Sequence, residues 1–178
     1  MPPSLAPAPH EIPDKTSVEA ITLDQLDDPA VRFGATYWRL LRNNRRFPTR
    51  EELSPRDMAA VLRNMILVKV LDGGADFEYR IVGDAQVCAY GIPLQGRRLS
   101  EIAVEAPRFG RILQRLVTQV SREGAPLAIR GRVGRDVPEA NFIYCESALL
   151  PLGASPDVVD HVLIFSAYIV RAFSSDRK

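Results

Sequence analysis

Apolar residues follow two different spacings along this chain, and the first spacing predicts helices. From Asp28 to about Asn43 they recur every three to four positions, which predicts a helix. Asp28 is a favourable cap for its start, and Pro29 occupies the first helical position, where a backbone N–H is not needed. The apolar face of this helix consists of Val31, Ala35, Trp38 and Leu41.

Two further helix starts are predicted, one on either side of this helix. Thr16 and Glu19 have the spacing of a capping box, in which each side chain satisfies a backbone N–H at the start of a helix. Ser54 followed by Pro55 repeats the combination of a cap and a proline. The apolar face of this last helix is predicted to be Met58, Val61 and Leu62.

The second spacing predicts strands. Met65 to Leu71 is a nearly continuous apolar run, and a Gly-Gly turn at 73–74 follows it. After the turn, apolar residues alternate with polar ones, and these apolar residues are Phe77, Tyr79 and Ile81. The pattern predicts a β-hairpin. Three more strands are predicted near the C-terminus, at 126–133, 141–150 and 158–170.

The segment between the two groups of strands is predicted to be helical. Gly83, Gly91 and Gly96 divide its first part into short pieces. A longer amphipathic helix begins at Pro107 and ends at Gly124, a residue that favours the left-handed conformation at a helix end.

This order of elements predicts an α+β fold. If all five strands join one antiparallel sheet, the first and the last strand meet at its centre, and the helical connection crosses one face. A space is then enclosed between that face and the helices.

Composition favours a globular protein that stays in the cytoplasm. Apolar residues make up 46% and charged residues 25% of the chain, and no apolar run approaches the roughly 18 residues that span a bilayer. The proline-rich N-terminus lacks the pattern of a secretion signal and predicts a disordered leader at 1–15. Cys88 and Cys145 form no disulfide framework, which suits a reducing compartment.

Four motifs give the chain a resemblance to a known family. The motifs are Tyr37-Trp38-Arg39-x-Leu41-Arg42, then Arg46-Phe47-Pro48-Thr49-Arg50 with Ser54-Pro55-Arg56-Asp57, then Phe77-x-Tyr79-Arg80-x-Val82-Gly83, and Leu94-x-Gly96-Arg97-Arg98-Leu99. In this order they resemble the PAS family of sensory domains, and in particular the bacterial stand-alone PAS proteins with an N-terminal helical extension that are common in alphaproteobacteria. The resemblance covers about residues 30 to 170.

The resemblance implies a five-stranded antiparallel sheet of order 2-1-5-4-3, with helices on one face. It implies an N-terminal helical extension at 16–63, a PAS core at 64–172 and a tail at 173–178. It also implies a sensor or adaptor that performs no catalysis. Such a protein would bind a small molecule in its cavity, pair with a second copy, or pass its signal to a separate protein partner.

Residues for a ligand pocket follow from strand alternation and from the polar groups near the predicted cavity. Pockets of this kind are mostly apolar with a few convergent polar groups, although a core filled by the same side chains has an identical pattern. The candidates are Phe77, Tyr79, Ile81, Tyr90, Arg97, Tyr144, Glu146 and Tyr168.

A covalent flavin, a haem or a metal ion is not expected, and the sequence does not identify any other cofactor. The cysteine motif of flavin-binding, light-sensing PAS domains is absent, and neither His10 nor His161 lies where haem-binding PAS domains carry their axial ligand. No His, Cys or carboxylate cluster has the spacing of a metal site. A nucleophile formed by Cys145 and His161 is not expected either. Adjacent strand residues point to opposite faces, so Asp160 could not readily orient the histidine if both lie within one strand.

The predicted N-terminal helix has two possible roles. Its apolar face, Val31, Ala35, Trp38 and Leu41, folds back onto the chain's own sheet or packs across a two-fold axis in a homodimer.

Arginines are concentrated in two segments, and this leaves three interpretations open. Six lie between Arg39 and Arg56, and three lie between Arg130 and Arg135. They form a solvated face paired with Glu51, Glu52 and Asp57, or bind an acidic protein, or contact nucleic acid. The net charge of +1 gives no general attraction to nucleic acid or an anionic membrane. A nucleic-acid-binding module and a small hydrolase-like α+β enzyme are therefore the alternatives to a sensor.

Overall fold

A computed structural model describes residues 12–171, and six β-strands in this range form a single sheet. The strands are β1 (Ser17–Ile21), β2 (Met65–Leu71), β3 (Asp76–Val82), β4 (Leu127–Arg132), β5 (Phe142–Leu152) and β6 (His161–Val170). The α-helices are α1 (Pro29–Arg42), α2 (Asp84–Tyr90), α3 (Leu99–Glu105) and α4 (Pro107–Glu123). Short 3-10 helices cover Leu23–Gln25, Arg50–Glu52 and Ala59–Asn64. The tail and most of the leader predicted from the sequence lie outside the described residues.

The order of the strands is β1-β4-β5-β6-β2-β3, and every neighbouring pair is antiparallel. The α+β class is confirmed. All five predicted strands are present in the predicted order, with β2 and β6 adjacent at the centre. The structure adds β1 as a sixth strand at the edge of the sheet, next to β4.

The prediction of a helix start at Thr16 was wrong. The backbone from Ser17 to Ile21 pairs with β4 along its whole length. The hydroxyl of Thr16 does not cap a helix, because it donates instead to the carboxylate of Asp136 at 2.7 Å. A capping-box pattern is a local signal, and pairing with a strand more than a hundred residues away overrides it here.

The helix predicted after Ser54 was also wrong in its type. The chain forms turns and then the 3-10 helix Ala59–Asn64, in which Val61 N–H donates to the carbonyl of Met58 at 2.9 Å. Strand β2 begins directly afterwards, at Met65. Met58 and Val61 are nonetheless buried, as their apolar pattern predicted.

Helix α1 forms where the sequence predicted it and packs on one face of the sheet, against β5 and β6. The carboxylate of Asp28 caps it by accepting hydrogen bonds from the backbone N–H groups of Ala30 and Val31, at 2.9 and 3.1 Å. Gly34 allows a close approach, since any Cβ at this position would overlap the ring of Phe165 on β6. We call this side of the sheet the α1 face.

Helices α2, α3 and α4 cover the opposite side, which we call the cavity face. Helix α4 has the predicted bounds: Pro107 opens it, and Gly124 ends it with a positive φ of 59°. Helices therefore lie on both faces of the sheet: the connecting helices cover one face, as predicted, and α1 covers the other. The reason is that the N-terminal segment, predicted as an extension, contributes β1 to the sheet and lays α1 across its second face.

Candidate functional site

An apolar cavity of about 60 Å³ lies between the cavity face of the sheet and helix α4. Strands β4, β5 and β6 form its floor, and apolar side chains of α4 form its roof. No charged side chain belongs to its lining. The residues that define it best are Tyr79, Tyr90, Phe109, Leu113, Ile129, Cys145, Ser147, Ile164, Ser166 and Tyr168.

Aromatic side chains close one end of this cavity. The ring of Tyr90 makes edge contacts with Phe109 and Tyr168, with centroids 4.8 and 6.1 Å apart. Phe142 completes the group, because its ring lies 5.9 Å from Phe109 and 4.6 Å from Tyr168. Four aromatic rings, one each from α2, α4, β5 and β6, therefore form a cluster in which every ring contacts two others.

Hydroxyl groups provide the cavity with its polar atoms. The side chains of Ser147 and Ser166 share a hydrogen bond of 2.7 Å, and the hydroxyls of Tyr90 and Tyr168 also interact. Burial raises the pKa of Tyr79, Tyr90 and Tyr168 above its usual value, because it penalises the phenolate. The tyrosines are therefore neutral hydroxyl groups at physiological pH.

Cys145 lines the same cavity but is not activated. Burial, followed by the nearby charge of Glu146, raises the pKa of its thiol to about 12. The thiol therefore stays protonated, and a protonated thiol is a poor nucleophile.

The structure does not bring Cys145 near His161. Cys145 pairs with Tyr168, whereas His161 pairs with Leu152, seven positions along β5, which corresponds to roughly 23 Å. One expectation was wrong, however. Asp160 does hold His161, through a hydrogen bond of 2.7 Å between its Oδ1 and the imidazole Nδ1, because Asp160 precedes the strand and is free of its alternation.

Three of the predicted pocket residues, Tyr79, Tyr90 and Tyr168, line the cavity together. Phe77 is buried on the same face of the sheet without being part of the lining. Arg97 lies outside, where its guanidinium pairs with Glu105 at 2.8 Å.

Ile81 lies on the other face because of a bulge in β3. Leu67 pairs with Ile81, but the next residue, Val68, pairs with Tyr79, so Arg80 is an extra residue in the ladder. The bulge turns the side chain of Ile81 to the α1 face, where it is 42% exposed and lines a shallow groove with Met58 and Leu67.

Tyr144 and Glu146 share a face, as predicted, but it is the α1 face. Residues of opposite parity on β5, Cys145 and Ser147, point into the cavity instead. The alternation of side chains along β5 was visible in the sequence. The sequence did not show which of the two faces points to the cavity. Ser166 and Ile164 could have been found in the same way, two and four positions before Tyr168.

Glu146 joins the sheet to the N-terminal segment. Its side chain is 1% exposed, and its Oε1 accepts hydrogen bonds from the backbone N–H groups of Asp27 and Asp28 at 2.9 and 2.8 Å. Arg130 on the neighbouring strand adds an ion pair with Asp27 at 3.1 Å. The start of α1 is thus held at β5, directly behind the cavity.

The predicted interface residues of α1 are turned inward. Val31, Ala35 and Trp38 are buried in the chain's own core, and Leu41 packs against it. The indole N–H of Trp38 donates to the carbonyl of Pro151 on β5 at 2.8 Å. Of the two predicted roles, the structure shows the first, in which the helix folds back onto its own sheet.

Carboxylates pair with several arginines of the two arginine-rich segments, but of the predicted partners Glu51, Glu52 and Asp57 only Glu52 forms an ion pair within residues 12–171. Arg45 forms a two-pronged pair with Glu52 at 3.0 and 2.6 Å, and Arg39 pairs with Asp24 at 2.7 Å. In the second segment Arg130 contacts Glu19 and Asp27, both at 3.1 Å. These contacts favour the interpretation as a solvated, internally paired face.

Within residues 12–171 no group of three or more His, Cys, Asp or Glu side chains is placed to hold a metal ion. None of the helices in the same range has both the length and the apolar character needed to cross a membrane.

A family model described as a PAS domain matches residues 27–165, which is more than half of the chain. No curated protein and no solved structure matches the sequence.

Proposed function

Because this chain belongs to the PAS domain family, whose members serve in sensing and signalling, we propose that it is a sensor without catalytic activity. In this proposal a small, largely apolar molecule enters the cavity between the sheet and α4. The change that it causes is then passed to a protein partner. The alphaproteobacterial stand-alone type and a cytoplasmic location belong to the same proposal, and the two free cysteines are compatible with that location.

The observation that carries the proposal is the chemistry of the cavity lining. Its walls are apolar and uncharged, and its polar atoms are neutral hydroxyl and thiol groups. Placing a charge among such walls is costly, so the part of a ligand inside them is expected to be uncharged. The volume of about 60 Å³ is well below the roughly 300 to 1,000 Å³ of common cofactor and drug pockets, which argues against a flavin or a haem in this conformation.

Strand β5 provides a route from the cavity to the surface. Cys145 and Ser147 face the cavity, and Glu146 between them holds the start of α1. A ligand that displaces this part of β5 would therefore move Glu146 and change how α1 is held. Helix α1 presents Phe33 and Leu40 outward, 39% and 74% exposed, so a change in its position would be visible to a partner.

The absence of catalysis is supported by the state of the candidate nucleophile. The Cys145 thiol is protonated, and the pair of Asp160 and His161 lies far along the sheet from it. An enzyme would need a base within hydrogen-bonding reach of its nucleophile. The arrangement that a hydrolase would need from Cys145 and His161 is therefore not formed in residues 12–171.

Native mass spectrometry of the freshly purified protein, followed by thermal shift assays with butanol and hexanone, tests the ligand proposal. We expect a small molecule retained in wild type or a rise in Tm with these compounds. Leu113→Phe narrows the cavity and should abolish the response. Leu40→Phe, the same change at an exposed position of α1, should leave it intact. An empty wild type with no response to either compound would refute the ligand proposal.

A homodimer stays part of the proposal, with its interface moved to the outer side of α1. Residues Phe33 and Leu40 are two helical turns apart and exposed on the same side. Sedimentation of wild type and Leu40→Glu should show a dimer that the charge disrupts. A wild type that is monomeric at high concentration would end the dimer proposal and leave a different protein as the partner.

A further inference from the structure

A groove of about 730 Å³ runs along the outside of the cavity, between strand β1 and helix α4. Val18 on β1 forms one wall, and Ile112 and Leu116 on α4 form the other. These three residues also belong to the lining of the cavity. The groove therefore adjoins the cavity, and the side chains that the two linings share form the boundary between them.

Two arginines of α4 stand over this groove without an acidic partner. Arg115 and Arg122 are exposed, two helical turns apart, and neither lies within ion-pair distance of a carboxylate in residues 12–171. The arginines of the two arginine-rich segments differ in this respect, since several of them are paired with Asp or Glu.

Two carboxylates also line the groove, but both have hydrogen-bond partners. Glu19 accepts a hydrogen bond from Arg130 at 3.1 Å, and Glu123 accepts one from the side-chain amide of Gln119 at 3.3 Å. Among the described groove residues, Arg115, Arg122 and Glu123 thus have charges without an ion pair, and their sum is positive. Its outer part favours an anion, whereas the cavity beneath it favours an uncharged, apolar group.

We infer that the cavity and the groove together bind an amphipathic anion, namely an alkyl chain that ends in a carboxylate. The carboxylate pairs with Arg115 and Arg122, because guanidinium groups bind carboxylates through paired hydrogen bonds. The alkyl chain passes between Val18 and Leu116 into the cavity. The tyrosines are carried by α2, β3 and β6, on the far side of the cavity from β1, so they contact the inner end of the chain.

This inference rests on the proposed ligand-binding function and specifies the class of ligand. A continuous polyanion such as nucleic acid fits the groove less well, because Glu19 and Glu123 flank the arginines and would repel neighbouring phosphates. A single carboxylate on an apolar chain brings one negative charge to the groove and therefore meets less of this repulsion than a row of phosphates does.

Isothermal titration calorimetry of the full chain with octanoate, octanol and acetate tests the inference. We expect octanoate to bind wild type, and its Kd to rise by about tenfold or more when Arg115→Gln and Arg122→Gln are combined. Arg111→Gln is the matched control, since Arg111 is exposed on the same helix but hydrogen-bonds the Pro107 carbonyl and does not line the groove. Octanol should bind wild type and the double variant alike, and acetate should not bind detectably.

Glu123→Gln removes a negative charge from the groove and should tighten octanoate binding without changing octanol binding. An octanoate Kd that is equal in wild type and the double variant would overturn the inference, as would acetate that binds as well as octanoate. Octanol bound without any preference for octanoate would also overturn it, while leaving the proposed sensor function in place. If no compound binds and the purified protein is empty, both proposals fail.

Discussion

The buried carboxylate of Glu146 accepts a hydrogen bond from the backbone N–H of Asp28, the residue that caps helix α1. The side-chain carboxylate of Asp28 in turn accepts hydrogen bonds from the backbone N–H groups of Ala30 and Val31. Glu146 therefore holds the residue that caps the helix. The arrangement fixes the angle at which the chain leaves the 3-10 helix Leu23–Gln25 and enters α1. It also makes Glu146 the point at which a change in β5 reaches the helix.

Glu146→Ala should lower the free energy of unfolding by about 3 kcal/mol, because two part-buried backbone N–H groups lose a charged acceptor. Glu146→Gln keeps an oxygen that can accept both bonds and should cost less, about 1 kcal/mol. Urea denaturation measures both values. Glu51→Ala is the control, since Glu51 is exposed and should change stability little. Equal stabilities for wild type and Glu146→Ala would show that Glu146 does not hold α1.

Gly34→Ala should destabilise the fold, although alanine favours helix more than glycine does. The new methyl group overlaps the Phe165 ring, so α1 must move away from β6, at a cost of about 1 to 3 kcal/mol. Phe165→Leu should make room for it, so the double variant should lose less stability than the sum of the single losses. Thermal denaturation of the three variants gives the comparison. Additive losses would mean that the helix and strand do not contact each other here.

Iodoacetamide should label Cys88 and spare Cys145 in the folded protein at about pH 8. Cys88 is exposed, whereas the Cys145 thiol is buried and its pKa is raised to about 12, so almost no thiolate is available. Mass spectrometry of Cys88→Ser should show no label before denaturation and one label after it. Rapid labelling of Cys145 in the native protein would show that the cavity opens readily to water.

Loss of charge on Glu52 should reduce stability at low pH. The hydrogen bond from Arg45, followed by that from the Thr49 N–H, lowers the pKa of Glu52 to about 2, compared with 4.5 for an unperturbed glutamate. A pKa that is lower in the folded state stabilises the fold above about pH 4.5, and this contribution is lost as the pH falls toward 2. Because the pair is solvent-exposed, the effect should stay below about 1 kcal/mol.

Denaturation of wild type and Glu52→Gln at about pH 6 and about pH 3 measures this contribution. The two proteins should differ more at the higher pH and become more alike at the lower one. Glu51→Gln is the matched control. Glu51 is the residue next to Glu52, and its own carboxylate has no ion pair among the described residues. A difference that does not change with pH would mean that the pair with Arg45 contributes nothing measurable.

Local patterns in the sequence were sufficient for the elements that short-range interactions specify. Asp28 with Pro29 marks the start of α1, and Pro107 and Gly124 mark the two ends of α4, because caps and breakers act on backbone groups within one turn. The five strands β2 to β6 and their antiparallel class also followed from the pattern of the sequence. The order with β2 beside β6 followed from that pattern together with the family resemblance.

Only the tertiary structure decided which residues face the cavity. Strand β1 depends on pairing with β4, and the bulge at Arg80 that turns Ile81 away appears only in the ladder between β2 and β3. On β5, alternation separated Glu146 from Ser147, but whether a side of the strand meets α1 or α4 depends on which helix packs there. These are long-range contacts, whose free energy comes from burying surfaces that are far apart in the sequence, and a local pattern does not record them.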